Sequence, residues 1–481
     1  MKVAIVHYHL QPGGVTQVIE NTLQAWSEED SSIDSVVLSG RAYPGKRISN
    51  SLLVPGLDYA TLSAGVDPQT LVERLKLSAK AGLGGMPDIW HVHNHSLGKN
   101  PALTEAIAIL AEDGEKLLLQ PHDFAEDGRP GNFLSLKEIY PRTYPAGSNI
   151  HYAALNKRDQ KFLIKMLDGT PSKVHLLANA VPSSPNFPSF KNVNKSNLPE
   201  NLFLYPVRAV RRKNLGELAL LATAYPDLHF ANSLGPTNPE FSTIFENWKE
   251  FGNELKLPLT YGLGQKVNCS FSEMVSSATS ILSVSIAEGF GLGFLEPWTF
   301  GKSLCGRNIN EITSDFSELG VSLDHLYERL EVPLDCVLSK ESLNIKISHY
   351  ISKFYKKYNR KLPEDASRLA YQSIVREEMI DFGRLDESLQ QSIIRTVANS
   401  SDLQSDLRSM SKIQIIDEQI IHANQKAVKE KFSSIAYAEK TAIIYDQILN
   451  SSTPLGCEFA DGQILLNQFL SPSRLNLLRT S

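Results

Sequence analysis

The chain has 481 residues, a net charge of -5 at pH 7 and 42% hydrophobic residues. This length suggests about two to four domains, and the charge gives no reason to expect a nucleic-acid partner. No run of about 18 apolar residues occurs, so no transmembrane helix is expected, and the N-terminus shows no signal-peptide pattern. The four cysteines are too widely spaced for a CxxC metal site or a disulfide framework, which favours a reduced, cytoplasmic compartment.

The first part of the chain alternates short apolar runs with amphipathic stretches, which is typical of a parallel sheet with connecting helices. After the first strand, apolar residues at helical spacing predict a helix over 15–26. A stretch rich in proline, serine and asparagine over 182–200 is interpreted as an interdomain linker. The strands predicted before that linker cover 2–7, 35–38, 89–92, 116–119, 151–155 and 174–177.

A second α/β series follows the linker and gives way, beyond residue 320, to charged and mostly helical sequence. The expected fold class is α/β, with two Rossmann-like domains facing each other across a cleft and a helical C-terminal extension. We assign the domains to 1–190, 191–320 and 321–481, with the last helices packing back on the first two. The elements predicted after the linker are strands over 202–205, 228–230, 259–261 and 280–285, and helices over 215–224, 342–358, 365–382 and 433–449.

The turn after the first strand contains Gly13 and Gly14. In a doubly wound sheet this is the carboxyl edge, where ligands bind. The full GxGxxG fingerprint is absent, so a nicotinamide site is not expected. The pair is a candidate ligand-binding turn, and a plain structural turn remains the alternative.

Three histidines, His91, His93 and His95, occupy alternate positions at the end of a predicted strand. Alternation would place them on one face, an arrangement that can bind a metal. No acidic or cysteine partner stands at a ligand-like spacing nearby, so substrate or packing contacts are favoured over a metal.

The next strand ends at His122 and Asp123, and a polar loop containing Arg129 and Asn132 follows. A histidine at a strand end could orient a polar ligand or transfer a proton near neutral pH. A capping or packing role is the alternative. The loop is suited to holding a hydroxylated or anionic acceptor.

Four cations occur within six residues after the strand at 202–205, namely Arg208, Arg211, Arg212 and Lys213. Since the chain as a whole is acidic, this cluster is local. At a strand end it would suit a diphosphate, and a solvated basic turn is the alternative.

The most informative stretch is EGFGLGFLE, from Glu288 to Glu296. Its three glycines would let the backbone approach a ligand closely, and a helix that begins after them would favour an anion at its N-terminus. If the interval were helical, the two carboxylates would stand about 12 Å apart at a rise of about 1.5 Å per residue. That separation exceeds the range of about 5 to 9.5 Å for hydrolytic carboxylate pairs.

Together these features resemble the retaining GT-B glycosyltransferases of family 4. The resemblance covers residues 1–310 and rests on the order and spacing of motifs that are individually weak. No two aspartates are separated by a single residue, so the DxD metal site of the other glycosyltransferase architecture is missing. The matching pieces are Gly13-Gly14, Asp88 with His91 and His93, His122-Asp123, Arg208 with Lys213, and Glu288 with Glu296.

The resemblance implies a role for each of these residues. Arg208 and Lys213 would neutralise the departing diphosphate, Glu288 would bind hydroxyls of the donor sugar, and Glu296 would bind the ribose. His122 would lie near the reacting carbon, so His122, Arg208, Lys213 and Glu288 form the implied catalytic set. The other implied donor contacts are Gly13, Gly14, Leu263, Gly289, Phe290, Gly291 and Leu292, and the implied acceptor contacts are His93, Asp123, Arg129 and Asn132.

The implied reaction moves a hexosyl group from a nucleotide sugar to a hydroxyl of a small soluble acceptor, with retention and without a metal or cofactor. A GT-B phosphorylase, a sugar-nucleotide epimerase and a non-catalytic scaffold are the alternatives. The basic stretch 353–361 could dock on a membrane that presents a lipid acceptor, but a solvated helix end explains it equally well. We therefore do not expect membrane association, and homo-oligomerisation stays open.

Overall fold

The computed structural model describes residues 1–28, 32–60, 65–181, 198–336, 339–452 and 456–480. The chain forms two compact units, of which the first comprises 1–182 with 430–471 and the second 183–429 with 472–481. Residues 321–481 are therefore shared between both units. Most of the predicted linker, 182–197, lies outside the described residues.

The first unit is built on a seven-stranded sheet in which all neighbouring strands are parallel. Its order is β3-β2-β1-β4-β5-β7-β8. The strands are β1 (Lys2–His7), β2 (Asp34–Ser39), β3 (Ser51–Leu53), β4 (Ile89–His93), β5 (Leu117–Gln120), β6 (Pro145–Ala146), β7 (Ile150–Ala154) and β8 (Lys173–Leu176). The helices are α1 (Gly14–Glu28), α2 (Pro68–Leu83), α3 (Pro101–Glu112), α4 (Pro130–Ser135) and α5 (Lys157–Met166).

The second unit is built on a five-stranded parallel sheet of order β11-β10-β9-β12-β13. Its strands are β9 (Leu202–Arg208), β10 (His229–Leu234), β11 (Leu259–Thr260), β12 (Ser280–Ser283) and β13 (Leu304–Gly306). The helices that accompany them are α6 (Leu215–Ala224), α7 (Ser242–Glu254), α8 (Phe271–Ser277), α9 (Glu296–Thr299) and α10 (Asn310–Glu318).

The sequence beyond the second sheet is helical with one small antiparallel sheet, β14-β16-β15. Its elements are β14 (Glu331–Pro333), α11 (Lys340–Lys357), α12 (Ala366–Ile374), β15 (Val375–Arg376), β16 (Met379–Asp381), α13 (Glu387–Ala398), α14 (Ser401–Ser411) and α15 (Glu418–Lys431). The chain then contributes α16 (Ser434–Leu449), β17 (Glu458–Phe459) and α17 (Gly462–Phe469) to the first unit, and α18 (Leu477–Thr480) to the second.

The predicted helix over 365–382 is wrong in its second half. Helix α12 ends at Ile374, and β15 and β16 form a hairpin instead. The two turn residues, Glu377 and Glu378, have φ angles of +48° and +61°. Two successive positive φ angles characterise the tightest hairpin turns, and glycine or asparagine usually occupies these positions. Because glutamates occupy them here, the sequence did not indicate a turn.

The core of the first unit explains why its strands read as continuous apolar runs. Residues 3–6 of β1 are completely buried, as expected for a parallel sheet covered on both faces. Trp26 of α1 packs in the same core as Tyr445 and Ile448 of α16. The returning helix α16 is therefore part of this unit's core. No helix among the described residues is long and apolar enough to cross a membrane.

Candidate active site

An ion pair between Lys213 and Glu288 joins the ends of two neighbouring strands in the second unit. Lys213 lies in the turn after β9, Glu288 lies in the loop after β12, and β9 and β12 are paired. The ammonium of Lys213 donates a hydrogen bond to a carboxylate oxygen of Glu288. Only 16% and 13% of the two side chains are exposed. The structure thus brings together two residues of the predicted catalytic set.

The two carboxylates of the glycine-rich stretch have opposite electrostatic environments. Burial acts to raise the pKa of Glu288, but Lys213 and Arg212 outweigh it and hold that pKa below its usual value. Burial raises the pKa of Glu296, and only Lys213 opposes it. Glu288 is therefore the ionised acceptor of hydrogen bonds, while Glu296 is held nearer to its neutral form.

The four predicted cations differ in their partners. Arg211 faces Glu387 across 3.1 Å, and Lys213 faces Glu288. Arg208 is exposed at the end of β9 and forms no side-chain hydrogen bond or ion pair with the described residues. The Nε of Arg212 is buried without a hydrogen-bond partner among the described residues. Arg208 and Arg212 are consequently the cations most readily offered to an anionic ligand.

The glycine-rich stretch follows an irregular path. Of its three glycines only Gly291 has a positive φ, +93°, and a Cβ there would stand 3.1 Å from Ile312. Helix α9 begins at Glu296 but contains only four residues, so its dipole adds little to the expected anion site, which stays a prediction. A single turn sums too few peptide dipoles to attract an anion strongly. The estimate of about 12 Å for a helical path therefore does not apply here.

The turn that contains Leu263 is held by a hydrogen bond from a main-chain amide to an asparagine side chain. Gly262 has a φ of +70°, and its amide donates to the Oδ1 of Asn232 at 3.0 Å. Leu263 is buried and begins a short 3₁₀ turn. This turn follows β11 at the same carboxyl edge as Arg208 and Glu288.

A chain of stacked histidines marks the carboxyl edge of the first unit's sheet. His91 stacks on His93 with ring centroids 4.5 Å apart, and His93 stacks on His122 at 5.1 Å. The Nδ1 of His93 and the Nε2 of His122 lie 2.8 Å apart, so one of them donates a hydrogen bond to the other. The predicted alternation stops there, because β4 ends at His93 and His95 bonds the carbonyl of Thr143 instead.

These histidines are neutral. Burial lowers the pKa of His122 to about 3. Repulsion between a protonated His122 and a protonated His7 or His91 acts in the same direction. Burial also lowers the pKa of His91 to about 4 and that of His93 well below its usual value. His122 is thus suited to hydrogen bonding with a ligand rather than to donating a proton from an imidazolium. Among the described residues, no group of three histidine, cysteine or carboxylate side chains could hold a metal ion.

Asn94 positions the next strand end and was missed from sequence. It adopts a φ of +59° directly after β4, and its Oδ1 accepts the amides of His122 at 2.6 Å and Asp123 at 3.1 Å. Asparagine tolerates this conformation better than most residues. The HNH order around it was the available signal, but nothing local reveals that the amides it accepts follow the neighbouring strand β5.

Two of the predicted acceptor contacts are already engaged by backbone carbonyls of the first unit. Arg129 pairs with Asp123 and donates to the carbonyls of Phe124 and Asp127. Asn132 donates to the carbonyl of Leu97 at 2.9 Å. The carboxylate of Asp123 remains 40% exposed, so of these three side chains it is the most accessible.

Gly13 and Gly14 are exposed where α1 begins. A Cβ at Gly13 would meet nothing closer than 3.7 Å, and one at Gly14 would meet nothing within 4 Å. The fold itself therefore does not require glycine here, which leaves close approach of a ligand as a reason for it.

No family model matches this chain. Mannosylglucosyl-3-phosphoglycerate synthase from Petrotoga mobilis is 26% identical over 518 aligned positions, which cover 98% of this chain and 98% of that protein.

Solved structures resemble the chain over nearly its whole length. Sucrose-phosphate synthase from Thermosynechococcus elongatus matches with a TM-score of 0.54 and 13% identity, over 94% of this chain and 100% of that one. HepE from Anabaena, solved in complex with UDP and glucose, matches with a TM-score of 0.51 and 12% identity, over 93% and 99%. The chain has the GT-B fold, and the predicted resemblance to GT-B glycosyltransferases is confirmed.

Proposed function

We propose that this chain is a retaining glycosyltransferase of family 4. It transfers a hexosyl group from a nucleotide-diphosphate sugar to a hydroxyl of a small soluble acceptor. The observation that carries this proposal is the ion pair of Lys213 and Glu288 at the carboxyl ends of β9 and β12. The whole-length similarity to a synthase of a glycosylated phosphoglycerate supports the same class of reaction.

The proposed mechanism uses the charges of the second unit. Arg208 and Lys213 stabilise the diphosphate as the bond between its oxygen and the anomeric carbon breaks, because fixed cations favour developing negative charge. The ionised Glu288 accepts hydrogen bonds from sugar hydroxyls and holds the Lys213 ammonium in place. Glu296 binds the ribose.

The acceptor oxygen attacks on the face from which the diphosphate leaves. Its proton passes to an oxygen of the departing phosphate, so no enzymic nucleophile and no metal is required. The neutral His122 bonds the donor sugar near the reacting carbon, and Asp123 binds the acceptor. The relative's product carries 3-phosphoglycerate, so phosphorylated glycosides head the list of acceptors to be tried.

The first experiment is thermal unfolding of the purified protein with UDP, GDP and ADP, and then with the matching nucleotide sugars. A ligand at 100 times its Kd adds about 2.7 kcal/mol to the stability of the folded state. We expect one nucleotide to stabilise the protein, and Lys213→Ala to abolish that shift. The matched control is Lys249→Ala, because Lys249 pairs with Glu246 on the surface of α7.

If a nucleotide still stabilises the Lys213→Ala variant, the donor binds somewhere other than at the assigned residues. The absence of any response to all three nucleotides would instead favour a phosphorylase or a binding scaffold. A responder would be followed by a screen of acceptors, with the product identified by its mass and its anomeric configuration by NMR.

A further inference from the structure

The second unit contains a cavity of about 440 Å³ whose wall is rich in arginine. It is lined by segments after β12 and β13, by the small sheet β14-β16-β15 and by residues 473–479. A volume of this size is ordinary for a small-molecule pocket. Three carboxylates, Glu311, Glu328 and Asp381, share the lining with six arginines: Arg307, Arg329, Arg376, Arg384, Arg474 and Arg479.

Several of these guanidinium groups already face carboxylates. Two of those carboxylates, Glu217 and Glu331, are not part of the cavity lining. Their pairing fixes the wall, since a charged hydrogen bond in a buried place is strong and directional. The ion pairs are Arg307 with Glu217 at 2.7 Å and with Asp381 at 2.9 Å, Arg329 with Glu331 at 2.8 Å, and Arg474 with Glu311 at 2.6 Å.

Arg376 and Arg384 are less well neutralised. Arg376 is exposed at the end of β15 and forms no ion pair with the described residues. Arg384 approaches Asp381 only to 3.9 Å. Its Nη1 donates hydrogen bonds to the carbonyls of Ser473 and Leu475. Burial, reinforced by the neighbouring arginines and opposed by Asp381, lowers the pKa of Arg384 below its usual value. The cavity therefore holds positive charge that an anion would relieve.

The start of α10 opens on the same cavity. Ile309 precedes the helix and lines the cavity together with Asn310, the first helical residue. An isoleucine has no side-chain acceptor with which to cap the first amides of a helix. The positive end of the α10 dipole lies at a wall that already carries guanidinium groups, and both favour a negatively charged ligand.

We propose that this cavity is a binding site for a small phosphorylated anion, distinct from the donor residues Arg208 and Lys213. Arg376 and Arg384 contact the anion directly, and the paired arginines of the wall keep the cavity positive. The ligand class is a phosphate ester of a small molecule, either alone or with a carboxylate beside the phosphate. The planar fork of guanidinium suits both groups.

The test measures binding of inorganic phosphate and of 3-phosphoglycerate to the full chain, by thermal unfolding and by calorimetry at constant ionic strength in chloride. We expect both anions to stabilise the wild type more than chloride does. Arg376→Gln and Arg384→Gln should each weaken the apparent affinity at least ten-fold. Arg376 is exposed, so its variant keeps the test valid if Arg384→Gln fails to fold.

Two further variants locate the anion. Arg368→Gln changes an exposed arginine of α12 that is not part of the cavity wall and should bind like the wild type. Lys213→Ala should also keep the anion shift, since it alters only the donor residues. Tighter binding of 3-phosphoglycerate than of phosphate would show that the carboxylate is recognised too, whereas equal affinities would define a simple phosphate site.

The proposal is overturned if neither anion stabilises the protein beyond chloride, or if the shift survives in both arginine variants of the cavity. Loss of the shift in Lys213→Ala would overturn it as well, because the anion would then occupy the donor residues. That last result would leave the proposed function standing.

Discussion

Lys213 and Glu288 are 75 positions apart in sequence, yet their charged groups are in hydrogen-bonding contact. The contact exists because β9 and β12 are adjacent parallel strands, so the segments that follow them emerge at the same edge of the sheet. Each side chain is largely buried. A buried charge that loses its partner destabilises the folded state strongly.

This relationship predicts the effect of removing either charge. Glu288→Gln and Lys213→Ala should each lower kcat/KM by at least about 100-fold, the size of effect seen when one preorganised electrostatic contact is lost. Circular dichroism should show an intact fold in both. Steady-state kinetics with the nucleotide sugar that stabilises the protein is the measurement, and a rate close to that of the wild type in either variant would refute the assigned site.

The glycine-rich stretch offers a matched pair of alanine substitutions. Gly291→Ala should destabilise the protein by about 1–2 kcal/mol, because the Cβ of alanine is strained at a positive φ and would crowd Ile312. Gly293→Ala should change stability little, since nothing lies within 4 Å of a Cβ at that exposed position. Urea denaturation compares the two, and equal stabilities would mean that the loop can readily relax around Gly291.

The buried charge network around Arg307 predicts a larger loss of stability. Arg307 neutralises both Glu217 and Asp381, and all three side chains are at most 5% exposed. Arg307→Met should therefore cost about 3–5 kcal/mol, because it leaves the buried Glu217 without its cation and Asp381 with only the longer contact to Arg384 at 3.9 Å. The control is Arg395→Met in the exposed pair with Glu254, which should cost far less because solvent screens that pair. Similar losses in both would contradict this account.

The pH dependence of stability should reveal Glu126. Burial raises the pKa of this carboxyl to about 7, although the hydroxyls of Tyr140 and Tyr144 donate to it. The folded state then binds a proton that the unfolded state releases at lower pH. This contribution is full below the unfolded pKa of about 4.5 and is lost as pH rises through about 7, a change of up to about 3 kcal/mol.

Glu126→Gln keeps an acceptor for both tyrosines and removes the titration. The variant should match the wild type near pH 4 and be the more stable of the two near pH 8, as measured by denaturant unfolding at each pH. A difference in stability between variant and wild type that does not change with pH would contradict the raised pKa.

We expect the activity to be independent of metal ions. If Arg208, Arg212 and Lys213 neutralise the diphosphate, activity should be unchanged in excess EDTA, because these cations take the role that a divalent ion plays elsewhere. The measurement is the initial rate with and without chelator. A loss of activity that Mg²⁺ or Mn²⁺ restores would overturn the metal-independent mechanism and return attention to the histidine cluster.

Local sequence signals predicted most of the two large sheets. The strand over 2–7 and the helix over 215–224 have the bounds that were expected, because a buried parallel strand is continuously apolar and a helix that is buried on every side is apolar all round. The short strands β3 and β13 were missed. Three residues carry too little periodicity to distinguish a strand from a loop.

The sequence by itself determined the class of fold, the order of the strands along the chain and the candidate residues at their carboxyl ends. These follow from patterns within a few residues of each other. Only the tertiary structure decided that Glu288 is ionised, that His122 is neutral, and that Arg129 and Asn132 donate to backbone carbonyls of the protein. It also gathered the arginine cavity from five separated parts of the chain. Charge states depend on burial and on neighbours such as Arg307 and Glu217, 90 positions apart, and no local pattern encodes such neighbours.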